Sequence, residues 1–324
     1  MGRRGEPVMN GWEEHVADYL RLRRQLGSHL AEDERLLGRY TTDLAASGSP
    51  SITTANAVSW AQASFSGTGN PVARAARRLR AVRGFATYMH AVDPAHQIPP
   101  QGIFAHPVHR TAPYIYTSAE TSALIEAAGH LGHGIRARTY PTLFGLLAAT
   151  GLRVGEALGL DRDDVDLEAG ILTVSSGKSR HQRLVPLHGS TTAALGRYSS
   201  WRDGHEQQRY AGGASFFINR DGDRLPYHNV LMAFRQAAGA AGIQTHRLHP
   251  RMHDLRHAFA VNALLGWYRE GADVAAMMPA LSTYLGHSDP ANTYWYLSAV
   301  PELLAHASAR LAAGAATAEG QEKP

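Results

Sequence analysis

Between Ile98 and Pro113 the sequence sets Pro99, Pro100, Gly102, Pro107 and Pro113 into a stretch with little hydrophobic periodicity. Prolines at that density remove backbone donors and fix φ, so neither a helix nor a sheet runs through it, and the segment reads as a linker between two folded parts. Length agrees, because 324 residues exceed one ordinary core and 44% hydrophobic residues suffice for two. We place the cut near residue 112, giving a helical first domain with its linker over 1–112, a larger second domain over 113–312, and a disordered tail over 313–324.

The first domain is predicted to be all helix. Residues 11–27 carry Trp12, Val16, Tyr19 and Leu20 on one side, 31–46 form a second helix, and Gly48 to Thr54 read as a turn. Segment 71–91 opens with Pro71 and aligns Leu79, Val82, Ala86 and Met89 along one seam. Off that seam lie Arg74, Arg77, Arg78, Arg80 and Arg83, five cations with no acid among them. Such a row suits a nucleic-acid phosphate backbone, and is equally compatible with a solvated basic face.

In the second domain the period changes. Ser118 with Glu120 opens a helix through Ala128, 139–149 is a buried helix, and the chain turns at Gly151. RVGEALGL is then a short helix, and ILTVS and RLVPL are strands of a hairpin whose loop, Ser176 to His181, presents Lys178. Of the 32 basic residues only Lys178 and Lys323 are lysine, which makes Lys178 informative. Further helices are predicted over 190–203, 227–241, 253–266, 272–284 and 301–313, the last holding Leu303, Leu304 and Leu311. Mainly α with a small antiparallel β-sheet is therefore the expected fold class.

Several chemistries drop out on composition. No cysteine means no disulfide, thiolate nucleophile or cysteine-bound zinc, and no run approaches the ~18 apolar residues of a membrane span. A cytoplasmic location is the default. The net charge of +4 fits a polyanionic partner without requiring one. No GxxxxGK[ST] loop or carboxylate cluster for paired metals occurs.

Two segments carry the chemistry that remains. In HPRMHDLRHAFAVNALL, His253 and Arg256 lie three apart at a helix start, so an imidazole and a forked phosphate donor share one face. His249, His253 and His257 also recur at zinc-like spacing, but Arg251 and Arg256 beside them would repel a dication, so no metal is expected. In LGHSDPANTYWY, Ser288 and Asp289 are suited to cap a helix with Pro290 in its first turn. Tyr294 and Tyr296 then point to opposite sides, so only one can face a substrate while the other packs inward.

In this order, TGLRVGEALGL, GKSR on a hairpin, HDLRH, LGH and a tyrosine nine residues later resemble the tyrosine recombinases, or phage-type integrases, and LSTYLGHSDPANTYWYL looks most like their transposase and integrase branch. The resemblance covers about residues 115–312, the helical first part fitting a core-binding domain more loosely. It implies a two-domain C-shaped DNA clamp with a tyrosine recombinase catalytic fold. Residue by residue, Arg153 and Arg256 match the phosphate-binding arginines, Lys178 the hairpin lysine, His253 and His287 the two histidines, Glu156 an acidic position that holds the arginine, and Tyr296 the nucleophile. The family reaction cuts and rejoins DNA strands through a 3′-phosphotyrosine, needs no cofactor or metal, and runs on double-stranded DNA, as a dimer on one site and a tetramer in the synapse. In that chemistry a neutral His253 accepts the Tyr296 proton and Lys178 supplies one to the leaving 5′ oxygen. DNA relaxation of the type IB topoisomerase kind, or non-catalytic DNA binding on the same scaffold, are the alternatives to recombination, integration or transposition.

Overall fold

The computed structural model describes residues 10–26, 30–63, 70–104, 113–175, 182–206, 213–243, 250–287 and 289–299. The chain forms two compact units, one running to Arg110 and the other starting at Thr111.

The first unit is built from helices α1 (Asn10–Gln25), α2 (Ala31–Ala46), α3 (Thr54–Gln62) and α4 (Pro71–Val92). Its core joins Val16, Tyr19 and Leu20 of α1 to Leu37, Tyr40 and Leu44 of α2, Trp60 of α3, and Leu79, Val82, Phe85 and Met89 of α4, so the predicted seams are the buried ones. The segment read as a turn is followed by a helix that the sequence reading missed. Thr53 and Asn56 start α3 as a capping box, the Thr53 hydroxyl accepting from the Asn56 N–H at 3.1 Å while Asn56 Oδ1 accepts from the Thr53 N–H at 3.0 Å. At the next start Asn70 accepts from Val72 N–H and Pro71 needs no donor, which fixes where α4 begins.

In the second unit α5 (Ser118–Gly129) is capped by Thr117 with Glu120, and α6 (Ile135–Thr150) runs through its core with Leu143, Phe144 and Leu147 fully buried. Gly151 ends α6 at φ 62°, where a Cβ would also lie 2.7 Å from the Phe259 ring, so both conformation and space demand glycine. Then come α7 (Val154–Gly159) and a three-stranded antiparallel sheet in the order β1 (Val165–Asp166), β2 (Ile171–Ser175), β3 (Gln182–Pro186). Leu172 pairs with Val185 and Val174 with Arg183, which puts Arg183 on the same inward face as the buried Val185. The remaining helices are α8 (Gly189–Glu206), α9 (Tyr227–Ala240), α10 (Met252–Arg269), α11 (Val274–Leu285) and α12 (Ala291–Ala299). Among the described residues the architecture is mostly helical with one small sheet. No helix among the described residues is long and apolar enough to cross a membrane.

Candidate active site

Three arginines converge on the carboxyl-terminal end of α11. Arg183 Nε donates to the Tyr284 carbonyl at 2.9 Å, Arg256 Nη2 to that of Leu285 at 2.7 Å, and Arg153 Nη2 to that of Gly286 at 2.9 Å. Those are consecutive residues, and their carbonyls form the electronegative pole of the helix, so α11 seats the three cations side by side. Gly286 ends the helix at φ 67°, and a Cβ there would lie 2.8 Å from the Arg183 guanidinium carbon. Glycine in the LGH motif is thus required by its backbone and by the arginine packed over it.

One carboxylate answers the three guanidinium groups. Arg153 starts α7, where its N–H donates to Glu156 Oε2 at 3.0 Å and its Nη1 to Glu156 Oε1 at 2.8 Å. Arg183 grips the same carboxylate, Nη1 to Oε1 at 3.1 Å and Nη2 to Oε2 at 2.8 Å. Burial opposes ionisation of Glu156, but the bonds from Arg183 and Arg153 outweigh it and lower the pKa, so the group is charged. Arg256 is 2% exposed and gives a further bond to the Gly151 carbonyl at 2.8 Å. Burial first, and then Arg153, pulls Arg256 down to about 10, which still leaves it protonated at neutral pH. The cluster of Arg153, Arg183, Arg256 and Glu156 therefore carries an uncompensated positive charge, and Arg153, with 40% of its side chain exposed, opens it to an anion.

The imidazoles surround this cluster. His287 follows Gly286 directly, and its Nδ1 lies 2.6 Å from the Thr293 hydroxyl, which ties the arginine seat to α12. Burial, then Arg256 and Arg153, push His287 down to about 4. On α10, His253 is solvent-accessible, and desolvation with the Arg256 charge lowers its pKa. The His257 ring stands edge-on to it with centroids 4.7 Å apart. Tyr296 is 2% exposed, its hydroxyl 2.9 Å from His257 Nδ1, and it lies near enough to Arg256 to favour that group's charge. Among the described residues no group of three or more His, Cys, Asp or Glu is placed to hold a metal ion.

Set against the sequence reading, Arg153, Glu156, His253, Arg256, His287 and Tyr296 come together in one pocket. Lys178 and His249 lie outside the described residues. Of the two tyrosines, Tyr296 is the buried one and Tyr294 is 48% exposed, so facing the site and packing inward coincide: the pocket itself is inside the unit. The last helix starts at Ala291, a residue later than Pro290 would suggest, with Asp289 Oδ1 accepting from the Ala291 N–H at 2.9 Å. Arg183 was missed, and His257 was noted only for its zinc-like spacing and given no part in the tyrosine chemistry. Arg183 had one legible signal, an arginine at an inward position of a strand that also carries Val185; His257 had none beyond its place one turn after His253.

The five arginines of α4 do not behave alike. Arg77 and Arg80 are exposed, and Arg74 and Arg83 are partly covered. Arg78 is anchored in its own unit, Nη1 donating to the Ala63 carbonyl at 2.8 Å and the Ala61 carbonyl at 3.3 Å, where α3 ends. Burial lowers its pKa first, and then the charges of Arg74, Arg35 and Arg39, so the basic surface spans α2 as well as α4.

This fold and pocket are those of an enzyme acting on a phosphodiester through a tyrosine. Residues 115–302 match the phage integrase family. The chain belongs to that family, the tyrosine recombinases, and its activity is site-specific DNA recombination. A Sinorhizobium fredii protein that carries the name integrase/recombinase y4rB is 39% identical over 310 residues, 94% of this chain and 98% of its own length. Tyrosine recombinase XerD of Mycobacterium tuberculosis is 34% identical over 224 residues, 68% of each chain. The fold is shared with the Tn1549 transposon integrase in complex with a circular intermediate DNA, at TM-score 0.57 and 15% identity over 92% of this chain and 99% of that one. It is shared too with a lambda integrase dimer bound to a core site, at TM-score 0.51 and 18% identity, covering 86% and 95%.

Proposed function

We propose that the chain cuts and rejoins double-stranded DNA by transesterification, with Tyr296 as nucleophile, working in the cytoplasm on the ends of a mobile element. The observation that carries this reading is the α11 end, where three carbonyls in a row fix Arg153, Arg256 and Arg183 beside Tyr296 with one carboxylate among them. Such a pocket attracts the scissile phosphate and offsets the charge that builds on it during attack, and it holds its donors in place beforehand. Arg153, Arg256 and a donor nitrogen of His287 bind the phosphate oxygens, His253 stands at its edge, Glu156 holds Arg153, and Lys178 protonates the leaving 5′ oxygen. The product is DNA joined through its 3′ phosphate to Tyr296, a bond that a free 5′ hydroxyl of another strand can reverse, so no cofactor is consumed.

Residues 1–112 serve in this reading as the core-binding domain, gripping duplex backbone with Arg74, Arg77, Arg80 and Arg83, and 113–312 as the catalytic domain. The relative named integrase/recombinase and the fold shared with a transposon integrase support integration or transposition as the biological outcome. The lambda integrase neighbour is a dimer on its core site, which supports assembly as a dimer on one site; a tetramer in the synapse is what the family resemblance implies.

The test uses duplexes selected from a random-sequence pool by retention on the protein, labelled and nicked beside the candidate cleavage point. On denaturing gels the unaltered chain and Tyr294→Phe form a covalent adduct; Tyr296→Phe retains binding and forms none. An adduct on Tyr296→Phe would assign the nucleophile elsewhere.

A further inference from the structure

We propose that His257 is a catalytic residue, the base that takes the proton from the Tyr296 hydroxyl as that oxygen attacks the phosphate. This rests on Tyr296 being the nucleophile, but it assigns the proton to an imidazole that neither the resemblance nor the motif spacing selects.

Geometry comes first. The Tyr296 oxygen and His257 Nδ1 are 2.9 Å apart, and the tautomer with its proton on Nε2 accepts from the phenol. The ring cannot easily turn away: His253 packs edge-on at 4.7 Å between centroids, Trp295 at 5.7 Å and Tyr296 at 5.5 Å. With Tyr296 2% exposed, bulk water is not available to receive its proton, so a neighbouring acceptor has to do so.

Electrostatics comes second. Groups facing His257 are His253, Asp254 and Arg256 on α10, Arg251 just before it, His287 after α11 and Tyr296 on α12. Burial, then His253, keeps His257 down at about 4; Asp254 opposes them in part, and Arg251 and Arg256 add to the depression. The lone pair is therefore free at neutral pH. A phosphate seated on Arg153 and Arg256 would cancel much of that positive field, raising the basicity of His257 when substrate is in place.

The step balances without a further reactant. The Tyr296 O–H bond breaks, its hydrogen goes to His257 Nδ1 to give an imidazolium, the phenolic oxygen bonds to phosphorus, and the phosphorus–5′ oxygen bond breaks with that oxygen taking a proton from Lys178, the acid of the proposed reaction. In the reverse step the imidazolium returns the proton to Tyr296.

Single-turnover cleavage of the selected nicked duplexes across pH 5.5–9.5 tests this, using His257→Asn. Asparagine keeps a hydrogen-bonding atom near the position of Nδ1 but cannot take up a proton. The expected result is unchanged DNA binding, cleavage slowed about 10²–10³-fold at pH 7, and a rate that climbs steadily with pH towards the phenol range, where the unaltered chain has levelled off. A near-normal rate would show the hydrogen bond to be one that Tyr296 leaves before attack. An equal loss at every pH would show a purely structural role. Either result overturns the proposal. If His257→Asn no longer binds the duplex, His257→Gln is read on the same axis. Tyr296→Phe runs in every series: an adduct there would defeat the assignment of the nucleophile, whereas a normal His257→Asn beside an inert Tyr296→Phe defeats only the assignment of the base.

Discussion

The arginines of the pocket and those of α4 are the same side chain in opposite settings. In the pocket each guanidinium is held by fixed acceptors, Arg153 by Glu156 and the Gly286 carbonyl, Arg183 by Glu156 and that of Tyr284, Arg256 by those of Gly151 and Leu285. On α4, Arg77 and Arg80 stand in solvent. Anchored cations lose little freedom when a phosphate arrives, so they can distinguish a transition state from a ground state; exposed ones must be ordered by the ligand and are screened by salt. In the proposed function, rigid charge would serve chemistry and exposed charge a sequence-independent grip.

The largest effect expected from breaking that contrast is at Glu156. Glu156→Gln leaves the guanidinium groups of Arg153 and Arg183 without their shared counter-charge in a buried site, which should cost about 3–5 kcal/mol in urea denaturation and slow cleavage by on the order of 10². If stability held and only cleavage fell, the carboxylate would be acting on the substrate and not on the arginines.

Acid should reach the pocket next. His257 and His287 are held at about 4 in the folded chain against 6.5 in the unfolded one, so the unfolded state binds more protons between those values. Both contribute stability in full above pH 6.5, lost as pH falls towards 4 at about 1.4 kcal/mol per pH unit for each imidazole. Glu156, with its pKa lowered, is likewise stabilising above its ordinary value of 4.5 and loses that as pH falls through its folded value. Thermal unfolding from pH 7.5 to 4.5 should show the decline, and replacing His257 and His287 together by Asn should flatten it.

How much of this was legible depended on distance along the chain. Local rules placed a helix start at Ser118 with Glu120, one residue past the Thr117 that caps it, Arg153 three residues before Glu156, and His253 three before Arg256, since each is a relation within one turn. What escaped was set from afar. Arg183 bonds to a carbonyl 101 residues away, Arg256 to one 105 away and Arg153 to one 133 away, and no period in the sequence encodes those meetings. The family pattern could supply Arg153 and Arg256 because motif order stands in for the fold. It was silent on Arg183, and for the partner of Tyr296 it pointed to His253, where the structure sets His257 against the hydroxyl. In the first unit α3 was missed although Thr53 and Asn56 announce it, because Gly48 and Pro50 before them favoured reading the whole segment as a turn.

The smallest effect separates arginines that look alike in the sequence. Arg74, Arg77, Arg78, Arg80 and Arg83 read as one row, yet Arg78 spends its guanidinium on the Ala61 and Ala63 carbonyls that end α3. Those bonds satisfy acceptors left over by the helix, so Arg78→Ala should lower the unfolding free energy by about 0.5–1.5 kcal/mol while changing the salt dependence of DNA binding little. The triple change of Arg74, Arg77 and Arg80 to Ala should do the reverse. Every phosphate that is no longer neutralised takes about 0.9 off the slope of log K against log salt, so the slope should flatten by roughly 2–3 with stability near that of the unaltered chain. Urea titration and binding to random-sequence duplex at several salt concentrations read the two quantities independently. Should Arg78→Ala flatten the slope as well, its anchored guanidinium would also be touching phosphate, and the division between charge that holds the protein and charge that holds the DNA would fail within a single helix.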